Sequence, residues 1–324
     1  MTLIQSKDSY IPQAPASSSA WPHFAPADVG PSELLATGFE TLDVVIDTKR
    51  RTLWNFMRPR DGFVCFTPQL LRDMKSLHQM IPNLHEMTRR GGGDPVQYVV
   101  TASRIPGIYN LGGDLTLFAE KIRSGNRLAM QSYAHACTDL IYSNSTSFGV
   151  PVVTIGLIQG DALGGGFECA LAHDVIIAER SAKIGLPEIL FNLFPGMGAY
   201  SFLSRRLDCV RAEKMILSGR IYTAEELFEM GVVDVLAEDG EGEYATARYI
   251  ESNARKHNAH TAVYQARRRV KPISEQELRD VVDIWVEAAL NLTAADLRKM
   301  DRLAAAQKKR VANASGALSQ MAAE

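Results

Sequence analysis

The sequence predicts an α/β fold followed by an all-helical C-terminal extension, and three observations carry that expectation. Short apolar, β-branched runs alternate with amphipathic segments from about residue 42 to residue 236, the pattern of strands paired mainly in parallel through helical crossovers. One of these runs, beginning at Pro151, ends in Gly164-Gly-Gly166 and passes directly into an amphipathic segment, as a buried strand feeding a helix N-terminus does. From about residue 241 the strand pattern stops and only helical spacing continues.

Residues 1–35 are rich in Pro, Ser and Ala; they bury little apolar surface and are expected to form a disordered tail. Leu42–Asp47 and Leu53–Met57, separated by the basic turn Thr48–Thr52, read as a hairpin or meander. Leu71, Met74, Leu77 and Ile81 recur at helical spacing within a segment 68–90 that Gly91-Gly-Gly93 ends, and Val96–Val100 follows as a strand. The loop Tyr109–Leu115 opens onto what reads as one long helix to about Ser143. Beyond the Gly-rich turn, Asp174–Ala178 is a second strand, Pro187-Glu188 lies in a loop, and a helix starts near Ala199. Thr223-Ala-Glu-Glu226 is a capping-box helix start and Gly231–Leu236 a returning strand. Ser274-Glu-Gln-Glu277 is another capping box, with helical pattern to about Ala312 and fraying from Ser315. The expected organisation is a tail over 1–35, an α/β core over 36–240 and a helical region over 241–324.

At 324 residues, 46% apolar and 22% charged with net charge −2, the chain has an ordinary globular composition. Nothing in that balance points to nucleic acid or an anionic membrane as a bulk partner. No apolar run reaches the roughly 18 residues a spanning helix needs, and no basic-then-apolar leader opens the chain, so a cytoplasmic location is expected. Cys65, Cys137, Cys169 and Cys209 form no CxxC pair and read as isolated reduced thiols in or near the core. The seven histidines have no HExxH or other ligand spacing, so no metal site is expected. No GxSxG elbow is present to mark a serine nucleophile.

The chemistry gathers at the glycines. Gly164-Gly-Gly166 fits neither GxGxxG nor the phosphate-loop pattern ending in Lys-Ser/Thr, which argues against nucleotide binding. A helix N-terminus presents unpaired N–H groups and partial positive charge, so such a turn can hold a developing oxyanion; a purely structural turn reads the same way. A second pair, Gly112-Gly113, also precedes a helix, and two such loops can each give one N–H to a single carbonyl oxygen. Glu168 falls in the first turn after the glycines, where a carboxylate also suits the helix dipole. Glu188, read alone, is a solvated loop charge. Two carboxylates beside one oxyanion hole can instead act as acid and base on the carbon chain next to a thioester. His173-Asp174 read as strand-edge polar residues. Arg267-Arg-Arg269 with Lys271 reads as a solvated helix face or as a site for an acidic carrier protein or a phosphate.

At these residues the chain resembles the crotonase (enoyl-CoA hydratase/isomerase) superfamily. The likeness runs from about 96 to 236: the Gly112-Gly-Asp-Leu115 loop, Gly160, Gly164-Gly-Gly166 and Glu168, His173-Asp174, Gly185-Leu-Pro-Glu188, Pro195-Gly-Met-Gly198, Leu217-Ser-Gly-Arg220 and Ala224-Glu-Glu226. Hydratases of this superfamily carry two glutamates twenty positions apart, as Glu168 and Glu188 are here. Tyr109–Leu115, Leu163–Glu168 and the Phe-rich run Gly185–Ser201 are closer to one branch, the diffusible-signal-factor synthases.

That resemblance implies a crotonase-like ββα spiral core, with the helical region serving trimerisation and covering the acyl pocket. It implies an enzyme that dehydrates a 3-hydroxyacyl group on acyl carrier protein to the cis-2-enoyl thioester, then hydrolyses it to a free fatty acid used in quorum sensing. Gly113 and Gly165 match the oxyanion-hole positions, Glu168 and Glu188 the acid/base pair. Leu163, Gly164, Met197, Trp285 and Leu303 match the acyl-pocket positions; for Leu163 and Leu303 ordinary core packing is an equal reading. No cofactor is implied beyond the phosphopantetheine of acyl carrier protein, or CoA, that carries the substrate. The expected partners are that carrier, further copies in a homotrimer or dimer of trimers, and a signalling sensor kinase. The alternatives are an ordinary enoyl-CoA hydratase of fatty-acid oxidation and a non-catalytic binding partner of such a kinase.

Overall fold

The computed structural model describes residues 38–58 and 64–321; the expected tail over 1–35 lies outside them. The strands are β1 (Leu42–Asp47), β2 (Thr52–Met57), β3 (Tyr98–Ser103), β4 (Gly107–Asn110), β5 (Val153–Ile158), β6 (Gly160–Leu163), β7 (Val175–Glu179), β8 (Lys183–Gly185), β9 (Ile221–Thr223) and β10 (Val235–Ala237). They form two sheets, one ordered β1-β2-β3-β5-β7-β10 and the other β4-β6-β8-β9. The β1–β2 hairpin and the β8–β9 pair are antiparallel and all other pairings parallel. The helices are α1 (Pro68–Arg90), α2 (Leu115–Arg123), α3 (Arg127–Ser145), α4 (Gly165–Leu171), α5 (Ala199–Arg206), α6 (Cys209–Ser218), α7 (Ala224–Glu229), α8 (Gly242–Asn253), α9 (His257–Val270), α10 (Glu275–Leu290) and α11 (Ala294–Met321).

The large sheet is buried on both faces, which is why its strands read as near-continuous apolar runs rather than alternating ones. In β7, Ile176 and Ala178 join the main core with α1, α3 and α10. Val175 and Ile177 face a second cluster with Trp54, Phe56, Val100 and Ile250. The Thr223 capping box forms in both directions. At Ser274 only one half forms, with the hydroxyl accepting the Glu277 N–H at 3.0 Å, because the Glu277 carboxylate is taken by Arg205 at 2.7 and 2.8 Å.

Five readings need correction. The run from Pro151 is two strands, not one: β5 belongs to the large sheet and β6 to the small one. Any Cβ on Gly160 would overlap the Gly107 backbone, so that residue permits the chain to cross between sheets. The long helix after Leu115 is broken at Ser124–Asn126, where Gly125 has φ 60° and Asn126 caps α3 through its side chain. Pro187-Glu188 begins a short 3-10 turn, Pro187–Phe191, rather than an open loop. Helix α11 runs on through Met321 instead of fraying from Ser315. Of the cysteines, Cys65, Cys137 and Cys169 are buried but Cys209 is exposed.

Candidate active site

Strand β6 delivers Leu163 and Gly164 to the start of α4, while β4 delivers Leu111 to Gly112-Gly113 at the start of α2. The parallel β4–β6 pairing lays the two glycine loops side by side. A Cβ on Gly112, whose φ is 95°, would stand 2.8 Å from Leu163 O and 3.0 Å from Gly165 N, so only glycine allows this approach. Among the described residues, neither the Gly113 nor the Gly165 N–H has a hydrogen-bond acceptor. Both loops therefore bring unpaired donors to one wall of a cavity of about 580 Å³, and both glycines line it.

Glu168 projects from the first turn of α4 and is 1% exposed. Its Oε1 accepts the Ala199 N–H at 2.9 Å, placing the carboxylate at the N-terminus of α5. Glu188 is half-buried, yet its Oε2 is shut off from solvent with no hydrogen-bond partner among the described residues. Gly164, with φ 52°, leaves the space where the Glu188 carboxylate rests. Burial, chiefly, and then repulsion from Glu188 hold the Glu168 carboxyl well above the usual carboxylate range, against the pull of the Ala199 and Met197 N–H groups. Burial pushes Glu188 up to about 7. Two such carboxyls cannot both ionise at neutral pH, so the pair titrates as a unit that keeps one proton.

The rest of the cavity is apolar. Met197 Sδ fills the space beside Gly165, and the Trp285 indole packs on Gly196. Trp285 meets the Phe118 ring edge-on at 5.0 Å, and Phe118 meets Tyr133 at 5.2 Å. Leu163, Gly164, Met197, Trp285 and Leu303 all line the cavity with the two glutamates. Leu163 also packs with Val64, Ile108, Leu111 and Val311, and Leu303 against the main core, so each serves packing as well.

Sequence reasoning missed the polar roof. Gln307 and Arg310 of α11 line the cavity; Gln307 Nε2 donates to Leu111 O at 2.9 Å, and Arg310 pairs with the buried Asp161 at 2.7 Å. Their helical spacing was legible, but their partners lie some 150–200 residues back in the chain. The basic run Arg267–Arg269 is corrected. Arg267 and Arg268 turn onto the buried Asp174 at 2.6 and 2.7 Å, and Lys271 donates to Arg205 O. Arg267 and Arg268 thus neutralise a buried carboxylate, while Arg267, Arg269 and Lys271 remain exposed. His173, also buried, bonds Cys169 O and Thr101 Oγ1; burial lowers its pKa to about 4, so it stays neutral, away from the glutamates. Among the described residues, no group of His, Cys, Asp and Glu is arranged to hold a metal ion, and no helix is long and apolar enough to cross a membrane.

The model of the enoyl-CoA hydratase/isomerase family matches residues 75–308, and the chain belongs to that family, with the crotonase fold. It is 34% identical over 157 residues to mitochondrial methylglutaconyl-CoA hydratase of Rattus norvegicus, covering 48% of each chain. It is 33% identical over 129 residues to the fatty acid oxidation complex subunit alpha of Pseudomonas aeruginosa strain LESB58, which is 40% of this chain but 18% of that one. The chain thus spans half or less of the length of these relatives. Among solved structures it is similar to enoyl-CoA hydratase from Bacillus halodurans, at 20% identity and TM-score 0.64 over 81% of this chain and 98% of the other. It is also similar to Pseudomonas aeruginosa DspI, at 25% identity and TM-score 0.58 over 74% and 93%.

Proposed function

We propose that this chain is a diffusible-signal-factor synthase: it dehydrates a 3-hydroxyacyl thioester to the cis-2-enoyl thioester and hydrolyses that to a free cis-2-unsaturated fatty acid. The observation that carries the reading is the pair Glu168 and Glu188, both with pKa values raised by burial, lining an apolar cavity beside two unpaired glycine N–H groups. The N–H groups of Gly113 and Gly165 accept the charge that develops on the thioester oxygen when the C2 proton leaves; one such donor contributes roughly 3 kcal/mol of barrier lowering. With one proton on the pair, the ionised carboxylate takes the C2 proton. The protonated one gives its proton to the C3 hydroxyl, which departs as water. The pair ends with one proton, now on the other carboxyl, and its charge is unchanged.

In the second step the ionised carboxylate takes a proton from water as its oxygen attacks C1. The same N–H groups hold the tetrahedral oxyanion; its collapse breaks the C–S bond and frees the fatty acid, and the carboxyl returns the proton it took from water to the departing sulfur, which leaves as the thiol. Leu163, Gly164, Met197, Trp285 and Leu303 hold the acyl chain. The Phe-rich segment from Gly185 to Ser201 and the likeness to DspI are consistent with this branch. Acyl carrier protein is the proposed donor, with CoA as the other thiol. The second reading, a hydratase acting on enoyl-CoA without hydrolysis, is favoured by the likeness to a methylglutaconyl-CoA hydratase and to a fatty acid oxidation complex subunit.

Incubation of the purified protein with a panel of 3-hydroxyacyl carrier proteins, read by mass spectrometry, separates the two. Free cis-2-enoic acid is the expected product. If none forms while crotonyl-CoA is hydrated rapidly, the protein is an ordinary hydratase.

A further inference from the structure

The segment Val64–Thr67 runs beside the first glycine loop and sets its direction. Leu111 N–H donates to Val64 O and Phe66 N–H to Gly112 O, each at 2.8 Å, and Phe66 and Gly113 face each other as a parallel bridge. The C=O and N–H of one trans peptide point in opposite directions. The Gly112 carbonyl faces Phe66, while the Gly112 N–H is taken by Asn110 Oδ1 at 2.8 Å, so the Gly113 N–H points away from the Val64–Thr67 segment, toward the cavity that Gly113 lines. At the last rung, where the loop turns into α2, the hydroxyl of Tyr133 steps in. It accepts the Asp114 N–H at 3.3 Å and donates to Phe66 O. Tyr133 is buried on α3, and burial keeps its phenol protonated far above the usual tyrosine range. It can therefore donate and accept at once. Its ring packs edge-on against Phe118, and Phe118 packs on Gly113 from the same side.

The geometry points to Tyr133 as the positioning residue of the oxyanion hole: its hydroxyl ties Asp114 to Phe66 and so fixes the aim of the Gly113 N–H. This rests on the reading of Gly113 and Gly165 as oxyanion donors. A misaimed donor costs rate steeply while leaving binding of the acyl chain in place. Tyr133→Phe keeps the ring and its packing and deletes the bridge. The expected result is a kcat lowered about tenfold with KM within about twofold of the wild type.

The discriminating readout is the infrared carbonyl band, labelled with carbon-13 at C1, of a bound octanoyl-CoA analogue in which a methylene replaces the thioester sulfur, a saturated ketone that can be neither dehydrated nor hydrolysed. Wild-type protein should shift the band to lower frequency, and Tyr133→Phe should lose at least half of that shift. Asp114→Pro removes the same bridge from the other side and retains a φ close to the −74° of Asp114. Measured against Asp114→Ala, which loses only the helix cap, it should also weaken the shift, and it serves if Tyr133→Phe does not fold. A full shift in Tyr133→Phe, or in Asp114→Pro where that variant stands in, overturns the role of Tyr133 alone. No shift in the wild type overturns the oxyanion reading and the Tyr133 role with it.

Discussion

The Glu188 carboxylate rests in the space that a side chain on Gly164 would fill. One residue thus belongs to both halves of the site: its backbone leads into the N–H donor at Gly165, and its missing Cβ leaves room for a carboxyl. Gly164→Ala should therefore displace Glu188 as well as strain a backbone at φ 52°. Turnover is expected to fall at least a hundredfold in a steady-state assay with 3-hydroxyacyl carrier protein. Near-wild-type turnover would show that Glu188 has no fixed place in the chemistry.

On the proposed mechanism, either glutamate alone leaves half an acid/base pair. Glu168→Ala and Glu188→Ala should each abolish dehydration while retaining the fold, checked by product analysis beside circular dichroism. For Glu168→Ala a small loss of stability is expected as well, because the Ala199 N–H loses its acceptor and a buried unpaired donor costs about 1–3 kcal/mol.

The pH dependence of stability follows from Glu188. Its folded pKa, about 7, lies above the value of 4.5 for a free glutamate, so between those limits the native state holds more protons than the unfolded one. Stability attributable to this group is complete below about pH 4.5 and is lost as the pH rises toward 7. Glu188→Gln, which stays neutral throughout, should match the wild-type melting temperature at pH 4 and exceed it at pH 8. Parallel melting curves across that range would contradict the burial of the Glu188 carboxyl.

Asp174 tests the corrected reading of the basic run. Replacing both Arg267 and Arg268 with Met strands a carboxylate that is 3% exposed, and loss of a buried pair costs about 3–5 kcal/mol. Denaturant unfolding should register that loss. Arg269→Met, on an exposed position outside the cluster, should change stability by less than about 0.5 kcal/mol.

Trp285 joins the apolar cavity to the loop that carries Gly113, through Phe118. Trp285→Ala should destabilise the protein by about 3–5 kcal/mol and raise KM for long acyl chains more than for crotonyl-CoA. An equal effect on both substrates would mean that the indole supports the fold without lining the acyl path.

Local signals made much of the fold legible. Thr223 and Glu226 announced α7 because the capping box is a four-residue event. The Gly91 stop and the apolar spacing of Leu71, Met74, Leu77 and Ile81 bounded α1 for the same reason. What escaped was whatever depended on distant partners. β5 and β6 are joined by the single residue Gln159, and nothing local says that their hydrogen bonds go to different sheets. A charged run reads as solvated unless its partner is known, and Asp174 is 93 residues from Arg267. The two glutamates were visible as residues from the outset. Their nearness to the glycine loops marked them as a possible acid/base pair, and the family resemblance decided between that and the bland reading, since Pro187-Glu188 by itself is an ordinary acidic turn.

The roof of the cavity carries a consequence for timing. Synthesis runs from the N-terminus, and domains fold as their parts emerge. The glycine loops and both glutamates leave the ribosome more than a hundred residues ahead of Leu303, Gln307 and Arg310, which close the space above them. Until then Asp161 lacks its cation and the Leu111 carbonyl lacks its amide. On the proposed reading, a nascent chain consequently passes through a stage in which Glu168 and Glu188 are in place but the cavity has no roof, and acid–base competence would be acquired with α11 rather than with the second glutamate.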